Sequence, residues 1–438
     1  MSMLLYSMHY YSTRNKNEKA SFAQAALAGL AADGGLFIPG EIPKYKASVL
    51  SSLKTMNFCD IAFETIKPYT EAEIDNSSLF DIIQSAFTFT APLVPVLDRF
   101  TLELFHGPTA AFKDFGARFM ARAFSHLRRG EDRPLHILVA TSGDTGGAVA
   151  DGFFDVPGIF VTVLYPKGRV TPLQERQIAG LGKNITAIAV EGSFDDCQKL
   201  VKTALSDKNL TKRAALSSAN SINISRLIPQ IVYYSTGAGH YLNEERGITF
   251  CVPSGNFGNL TAGLYAMKMG APIRQFIAAT NANKTVPDFL ASGNYKERPS
   301  LATISNAMDV GAPSNFERMA AHFTLEEMQK IILGVSVTDD ETRKTILDVH
   351  EKSGYFLDPH SAVGWKGVDK LTAETKLKEN PTAILCTAHP FKFAETVEPL
   401  VGKPPVPESL AGAMERTVTA KTIPADAGVF IDTLCAKI

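Results

Sequence analysis

The stretch from His106 to Met120 reads HGPTAAFKDFGARFM, and its pattern predicts a turn that leads into a helix near Lys113. Proline has a fixed φ and no N–H group, so Pro108 suits the turn. From Phe115 onward, apolar residues recur at helical spacing. A cation is unfavourable at the start of a helix, and burial beside phenylalanines also opposes its charge. Both effects favour a neutral Lys113 amine, which is the form that attacks a carbonyl carbon.

The neighbours of Lys113 can be given roles by the same reasoning. Phe112 and Phe115 are expected to shield the amine from water, and Asp114 is expected to cap the new helix. Taken alone, the stretch also fits a surface lysine that merely follows a turn. The choice between the two interpretations therefore depends on the rest of the chain.

The composition is that of an ordinary globular protein. With 438 residues the chain is too long for one core, so two or three domains are expected. Its net charge is −1 and it has no long basic run, which argues against nucleic acid or an anionic membrane as a partner. The five cysteines are scattered and show no zinc spacing, so we expect no metal site and a reducing, cytoplasmic location.

The first 95 residues are expected to form a small separate α/β domain. Met1–Tyr11 lacks the basic start and the cleavage site of a signal peptide and is too short to span a bilayer. It is interpreted as the first strand. A helix capped by Ser21 and a turn at Asp33–Pro39 follow, and Pro92 and Pro95 mark the passage into the next unit.

Short apolar runs then alternate with helical segments. Such alternation predicts an α/β fold in which mostly parallel sheets are covered by helices on both faces. The predicted strands are Leu135–Ala140, Ile159–Tyr165, Ile185–Val190, Thr249–Pro253, Gln275–Thr280 and, as the last core strand, Thr382–Cys386. Residues 281–320 have weak periodicity and are expected to form a long crossing segment, while Leu325–Leu333 is expected to be helical.

Two glycine-rich loops each follow a predicted strand and precede a helix. Ser254–Asn259 (SGNFGN) offers backbone N–H groups at a helix N-terminus, which suits a phosphate. This loop matches neither the Walker nor the dinucleotide pattern, and it also fits a plain tight turn. Thr141–Gly147 (TSGDTGG) adds hydroxyl groups that suit a carboxylate or a phosphate of a substrate.

A polar cluster precedes a further helical segment. Its members Asn220, Ser221 and Arg226 could bind a phosphate, since arginine is a natural bidentate partner for that group. Helix capping by Asn220 or Ser221 beside an exposed Arg226 explains the cluster equally well.

Several of these candidates share one position relative to the predicted sheets. Lys113, Ser142, Asn256 and Thr387 lie just past predicted strands or at helix starts. Ligands of open α/β sheets bind beyond the carboxyl ends of the strands. We therefore expect these residues to converge on one crevice.

Six segments, in the right order, together resemble the threonine synthase family. They read DGGLFIP at 33–39, HGPTAAFKDFG at 106–116, TSGDTGGA at 141–148, NSINISR at 220–226, PSGNFGN at 253–259 and CTAHPFKF at 386–393. The likeness extends over nearly the whole chain, and the length is similar to that of the shorter microbial and fungal form.

The resemblance implies a tryptophan-synthase-β-like fold, which is fold type II of the pyridoxal-phosphate enzymes. Residues 96–438 would form the catalytic region, with a smaller lobe at roughly 100–230 and a larger lobe at 231–438. Lys113 matches the Schiff-base lysine of the family. Other positions that match the pyridoxal 5′-phosphate site are Asp144, Gly255, Asn256, Phe257, Gly258, Asn259 and Thr387. Positions that match the substrate site are Ser142, Thr145, Asn220, Ser221 and Arg226.

The implied reaction converts O-phospho-L-homoserine and water to L-threonine and phosphate, the last step of threonine biosynthesis. The resemblance implies a cytoplasmic lyase that is a monomer or a homodimer and in which Lys113 acts as the base at Cα and then at Cβ. Two other functions stay open. One is a phospho-lyase that releases 2-oxobutyrate, and the other is a relative that binds pyridoxal phosphate without catalysis.

Overall fold

The computed structural model describes residues 8–242, 247–374 and 380–437. Its strands are β1 Tyr10–Ser12, β2 Phe37–Pro39, β3 Leu93–Val96, β4 Arg99–Glu103, β5 Leu135–Ala140, β6 Ile159–Pro166, β7 Ile185–Glu191, β8 Ala215–Ser218, β9 Ile248–Pro253, β10 Ile273–Thr280, β11 Ile332–Ser336, β12 Thr382–Cys386 and β13 Ala420–Pro424. Its α-helices are α1 Phe22–Ala28, α2 Ala47–Ser52, α3 Phe58–Thr70, α4 Asn76–Ala86, α5 Lys113–Leu127, α6 Asp144–Phe153, α7 Pro172–Ala179, α8 Phe194–Ser206, α9 Lys208–Arg213, α10 Ile224–Leu227, α11 Ile231–Gly239, α12 Gly258–Met269, α13 Thr285–Ser292, α14 Phe316–His322, α15 Leu325–Ile331, α16 Asp339–Ser353, α17 Pro359–Glu374, α18 Ala394–Val401, α19 Glu408–Met414 and α20 Ala427–Cys435.

A five-stranded sheet has the order β13-β7-β6-β5-β8, and all of its pairs are parallel. The central strand β6 is buried except at Phe160, as expected when helices cover both faces of a sheet. Helix α7 begins with the capping box between Thr171 and Gln174 that its sequence indicates. The alternation of strands and helices predicted from the sequence is confirmed.

A six-stranded sheet has the order β11-β10-β9-β12-β4-β3, in which only the β3–β4 pair is antiparallel. Strand β4 pairs with β12, far away in the chain, whereas the late strand β13 adds to the five-stranded sheet. Each sheet therefore contains strands from both sides of residue 230, because a strand pairs with its neighbour in space rather than with its neighbour in the chain. The domain limits given above stay predictions.

Two segments differ from the expectation based on sequence. Residues 281–320 contain α13, the 3-10 helix Asn306–Met308 and the first part of α14. The helix α15 ends at Ile331, and Leu333 lies in the strand β11. The sequence also missed β13, where Ile423 is buried and its neighbours are not. Strands β11 and β13 are at sheet edges, where half-exposed residues produce no continuous apolar run. The strands β3, β4 and β8 were not predicted either.

The N-terminal region packs against the helix that begins at Lys113. Strands β1 and β2 pair antiparallel, and Ser21 caps α1 as predicted. The part of the predicted first strand at residues 1–7 lies outside the described residues. Helix α4 contacts α5, and both belong to one continuous apolar core. Among the helices of the described residues, none has the length and apolar character that a membrane span requires.

Candidate active site

Lys113 is the first residue of α5, and its side chain is partly buried. Its Nζ atom lies 4.2 Å from the centroid of the Phe112 ring. Burial and then the positive charge of Arg226 lower the pKa of Lys113 to about 8, against the opposing effect of Asp144. The amine therefore loses its proton more easily than that of an ordinary lysine, as its position in the sequence indicates.

The expected roles of Phe115 and Asp114 are wrong. The Phe115 ring contacts Phe89 and Tyr233, with centroids 4.9 and 5.2 Å away, because a residue two positions on projects from another side of the helix. The Asp114 carboxylate accepts bonds from the N–H group and the hydroxyl of Thr109, at 2.9 and 2.6 Å. It fixes the turn before α5 instead of capping the helix, and burial raises its pKa to about 6.

The loop Ser254–Asn259 joins β9 to α12 and lines a cavity together with Lys113. Helix α12 begins at Gly258, so its first N–H groups have no acceptor within the helix. Phe257 has a φ of 59°, a strained value for a residue with a side chain. A Cβ atom on Gly255 would lie 2.8 Å from the Ala307 carbonyl oxygen. The loop is thus compact and rich in N–H groups, which suits a phosphate.

Two residues that line this phosphate-loop cavity each have a buried donor without a hydrogen-bond partner among the described residues. These donors are Nε of Arg226 and Nδ2 of Asn259. The hydroxyls of Tyr233 and Tyr234 donate to Oδ1 of Asn259, at 2.6 and 2.7 Å, and so fix the orientation of its amide. Burial lowers the pKa of Arg226 to about 10, which leaves it a cation at neutral pH. Nη1 of Arg226 donates to the Ala219 carbonyl, so each of these two side chains keeps one buried donor without an acceptor, which fits an anionic group.

Thr387 and His360 line the same cavity. The carbonyl of Thr387 accepts a bond from the Phe112 N–H group at 2.9 Å, which attaches the end of β12 to the turn before Lys113. Nε2 of His360 accepts from the Ala307 N–H group at 3.2 Å, and Nδ1 donates to Asp358 at 2.7 Å. His360, for which the sequence indicates no role, therefore braces the backbone that faces the phosphate loop.

An outer cavity adjoins the phosphate-loop cavity. Its lining includes Ser142, Asp144, Thr145 and Asn220. Lys113, Ser221 and Asn256 line both cavities. The predicted site residues are thus brought together, but Arg226 lines the phosphate-loop cavity and not the outer cavity with Ser142 and Thr145.

Asn220 and Ser221 are engaged with the surrounding protein. The Asn220 amide bonds the backbone of Ala140, accepting from N–H at 3.2 Å and donating to the carbonyl at 2.6 Å. The Ser221 hydroxyl oxygen accepts from Nδ2 of Asn256 at 2.6 Å. These bonds hold the polar cluster against the end of β5 and against the phosphate loop.

Asp144 is buried and paired with a lysine that the sequence reasoning missed. Oδ1 of Asp144 accepts from Nζ of Lys392 at 2.8 Å and from Nε2 of Gln174 at 3.0 Å. Burial would raise the pKa of Asp144, but the Lys392 cation and the Gln174 hydrogen bond outweigh it and lower the pKa. The only signal for Lys392 was its presence in CTAHPFKF. The carboxylate thus has protein partners, and its place in the cofactor site, implied by the resemblance, stays a prediction.

Asp309 and Arg318 were also missed, because both lie in the segment with weak periodicity. Asp309 lines the outer cavity, and burial raises its pKa to about 6. The fully buried Arg318 donates to the carbonyls of Phe37 and Ser221, at 3.0 and 3.2 Å. It therefore joins the N-terminal sheet to the polar cluster of the site.

Three family models together match nearly the whole chain. The model described as "Pyridoxal-phosphate dependent enzyme" matches residues 99–388. Those described as "Threonine synthase N terminus" and "Threonine synthase, C-terminal" match residues 9–87 and 361–432.

Similar proteins and structures give the same family. Threonine synthase from Serratia marcescens is 42% identical over 96% of this chain and 97% of its own. That from Saccharomyces cerevisiae is 35% identical over 89% and 88%. The threonine synthase crystal structure from Escherichia coli has a TM-score of 0.92 at 39% identity, covering 98% of this chain and 100% of that one.

A second similar structure has pyridoxal phosphate bound. It is the pyridoxal-phosphate-bound threonine synthase from Brucella melitensis, with a TM-score of 0.89 at 36% identity over 98% of this chain and 99% of that one. Maize serine racemase, at 14% identity over 72% and 93% and a TM-score of 0.54, shares the fold alone. The fold is therefore that of the type II pyridoxal-phosphate enzymes, and the chain belongs to the pyridoxal-phosphate-dependent threonine synthase family.

Proposed function

We propose that this protein converts O-phospho-L-homoserine and water to L-threonine and phosphate. In this reaction the Cγ–O bond breaks and Cγ gains a proton. Cβ loses a hydrogen and takes a hydroxyl group from water. One observation supports the proposal most strongly: an easily deprotonated lysine lies in a cavity that adjoins a second cavity rich in polar groups. A substrate and a cofactor that each contain a phosphate need two such places.

The chain's own residues fit pyridoxal phosphate. Lys113 would hold its aldehyde carbon, the loop Gly255–Asn259 its phosphate, and the hydroxyl of Thr387 its ring nitrogen. The unpartnered Nδ2 donor of Asn259 would supply a further bond to the cofactor phosphate. When bound, the cofactor supplies an electron sink for the negative charge that develops on the substrate carbons.

Lys113 moves protons in the proposed mechanism. Its amine, released when the substrate amine replaces it, takes a proton from Cα and then from Cβ. Ser142 and Thr145 would bind the substrate carboxylate at the N-terminus of α6. Asn220, Ser221 and Arg226 would hold the departing phosphate. Arg226 suits this task because its buried charge is already in place when the leaving group gains negative charge.

The protein is further proposed to act in the cytoplasm as a monomer or a homodimer. The five cysteines of the described residues are all free, which agrees with a reducing compartment.

The decisive experiment incubates the cofactor-loaded protein with O-phospho-L-homoserine and measures phosphate, L-threonine and 2-oxobutyrate together. Equal amounts of phosphate and threonine are expected. Phosphate matched by 2-oxobutyrate would instead establish a phospho-lyase. A yellow protein that forms no product at all would be a non-catalytic relative. Lys113→Ala should abolish both turnover and the covalent cofactor absorbance.

A further inference from the structure

Lys392 joins three parts of the site although it lines neither of the two cavities described. Its Nζ atom donates to Oδ1 of Asp144 and to the carbonyl of Thr109, each at 2.8 Å. The lysine itself lies in the 3-10 helix Pro390–Phe393, a few residues after Thr387. One ammonium group thus connects the chain before Lys113, the start of α6 and the segment after β12.

The segment after β12 is already attached to the turn before Lys113. The Phe112 N–H group donates to the Thr387 carbonyl at 2.9 Å, and the His389 N–H group donates to the Ala110 carbonyl at 3.0 Å. These bonds involve the six-stranded sheet and the start of α5. The loop Thr141–Gly147 follows β5 of the five-stranded sheet. Lys392 connects its Asp144 carboxylate to the Thr109 carbonyl, in addition to the packing of α6 against α5.

Burial makes the contact between Lys392 and Asp144 selective for one geometry. The side chain of Lys392 is 0% exposed and that of Asp144 is 6% exposed. A buried ion pair contributes only when its distance and its other hydrogen bonds are well satisfied. Here Gln174 donates to the same carboxylate at 3.0 Å, and Gln177 donates to the same Thr109 carbonyl at 3.2 Å. Both glutamines lie on α7, so the arrangement is braced from a third side.

We propose that Lys392 is a positioning residue that sets the substrate loop Ser142–Thr145 at the correct distance from Lys113. It acts through Asp144 and Thr109 and does not contact the reacting atoms. The proposal rests on the function proposed above, since it assigns the Ser142–Thr145 loop to the substrate. A loop displaced by about 1 Å can cost about 100-fold in rate, so a contact of this kind has a large effect on catalysis.

The test compares Lys392→Met and Asp144→Asn with a matched control, Lys370→Met. Lys370 also donates to a carbonyl and a carboxylate, those of Ser336 and Glu341, at 2.9 and 3.1 Å, but away from the site. The cofactor dissociation constant, KM and kcat are measured for each protein. We expect both site variants to lower kcat/KM for O-phospho-L-homoserine by about 100-fold. For Lys392→Met the cofactor dissociation constant should change less than about threefold, and Lys370→Met should resemble the unmodified protein.

Rescue and structure distinguish positioning from general damage. Lys392→Arg retains the charge and should recover part of kcat/KM. Equal losses in cofactor and substrate binding, or no loss in either site variant, would overturn the proposal. If Lys392→Met does not fold, Asp144→Asn, which retains the size of the side chain and an acceptor for Gln174, decides the matter.

A measurement without substrate separates this proposal from the proposed function. Hydrogen–deuterium exchange of the apoprotein should be faster at residues 141–147 and 108–112 in Lys392→Met than in the unmodified protein. Unchanged exchange at those segments contradicts the positioning role even if the protein makes threonine. Faster exchange supports it even if the protein does not turn over O-phospho-L-homoserine.

Discussion

The Arg226 guanidinium is, after burial, the strongest influence that lowers the pKa of the Lys113 amine, and both side chains line one cavity. Two cations close together destabilise each other, and the lysine is the one that can release its proton near neutral pH. The residue that could hold an anion therefore also prepares the nucleophile. Once an anion binds there, its negative charge offsets this effect of Arg226.

The first prediction concerns the pH dependence of cofactor attachment. Lys113 reacts as the neutral amine, so the rate at which the apoprotein binds pyridoxal phosphate covalently should rise with pH around 8. Replacing Arg226 by Gln removes the nearby charge and should move this rise toward the ordinary lysine value of about 10.4. Stopped-flow absorbance follows the reaction.

Arg122→Gln is the control for this experiment, because Arg122 lies on α5 together with Lys113 and bonds the Gly152 carbonyl. It should leave the pH dependence as in the unmodified protein. An inflection near pH 10 before any substitution would show that Lys113 is an ordinary lysine.

A second prediction concerns the phosphate loop. Gly255→Ala places a Cβ atom 2.8 Å from the Ala307 carbonyl oxygen and from the Met308 Cα atom, both of which belong to the backbone. The backbone must shift, and overpacking of this kind costs about 1–3 kcal/mol. Cofactor affinity should fall by about 10- to 100-fold in an equilibrium titration. In Gly412→Ala the added Cβ atom would meet no neighbouring group within 4 Å, so this variant should bind the cofactor normally.

The third prediction concerns stability at Phe115. Its ring is fully buried between Phe58, Phe87, Phe89 and Tyr233. Phe115→Ala should lower the free energy of unfolding by about 3–5 kcal/mol, through lost burial and the cavity left behind. Denaturant unfolding followed by circular dichroism measures the change.

Phe160 offers a comparison for the Phe115 experiment, since its ring is 45% exposed at the surface of β6. Phe160→Ala should cost less than about 1 kcal/mol. Similar losses for the two variants would mean that the Phe115 cluster does not hold the N-terminal region to α5.

The fourth prediction concerns acid stability. Burial and nearby cations lower the pKa of His322 to about 4, so the folded state binds its proton at a lower pH than the unfolded state. Its contribution is complete above pH 6.5 and is lost as the pH falls through 4, by at most about 3 kcal/mol. His322→Phe preserves packing against Tyr265, and it should lose less unfolding free energy between pH 7 and pH 4 than the unmodified protein does.

Urea unfolding at the two pH values measures this difference. Gly412→Ala, which removes no titratable group, is the control, and its stability relative to the unmodified protein should not change between the two pH values. If His322→Phe loses as much stability in acid as the unmodified protein, other groups cause the acid sensitivity.

Local rules were sufficient where neighbouring residues determine the structure. The capping boxes at Ser21 and Thr171, the buried strand Leu135–Ala140 and the helix that begins at Lys113 all follow from short-range patterns. The edge strands β11 and β13 could not be found this way, because their stability comes from pairing with distant strands. The residue roles within the site remain predictions that the experiments above address.

The sequence by itself determined the α/β fold, the two glycine-rich loops and a lysine in a place unfavourable to its charge. Only the tertiary structure decided which groups meet. It joined Lys392 to Asp144 and packed the Phe115 ring against Tyr233. It also placed Arg226 beside the phosphate loop. The physical reason is that such contacts join residues far apart in the chain, whose distances are set by sheet pairing and helix packing rather than by local sequence.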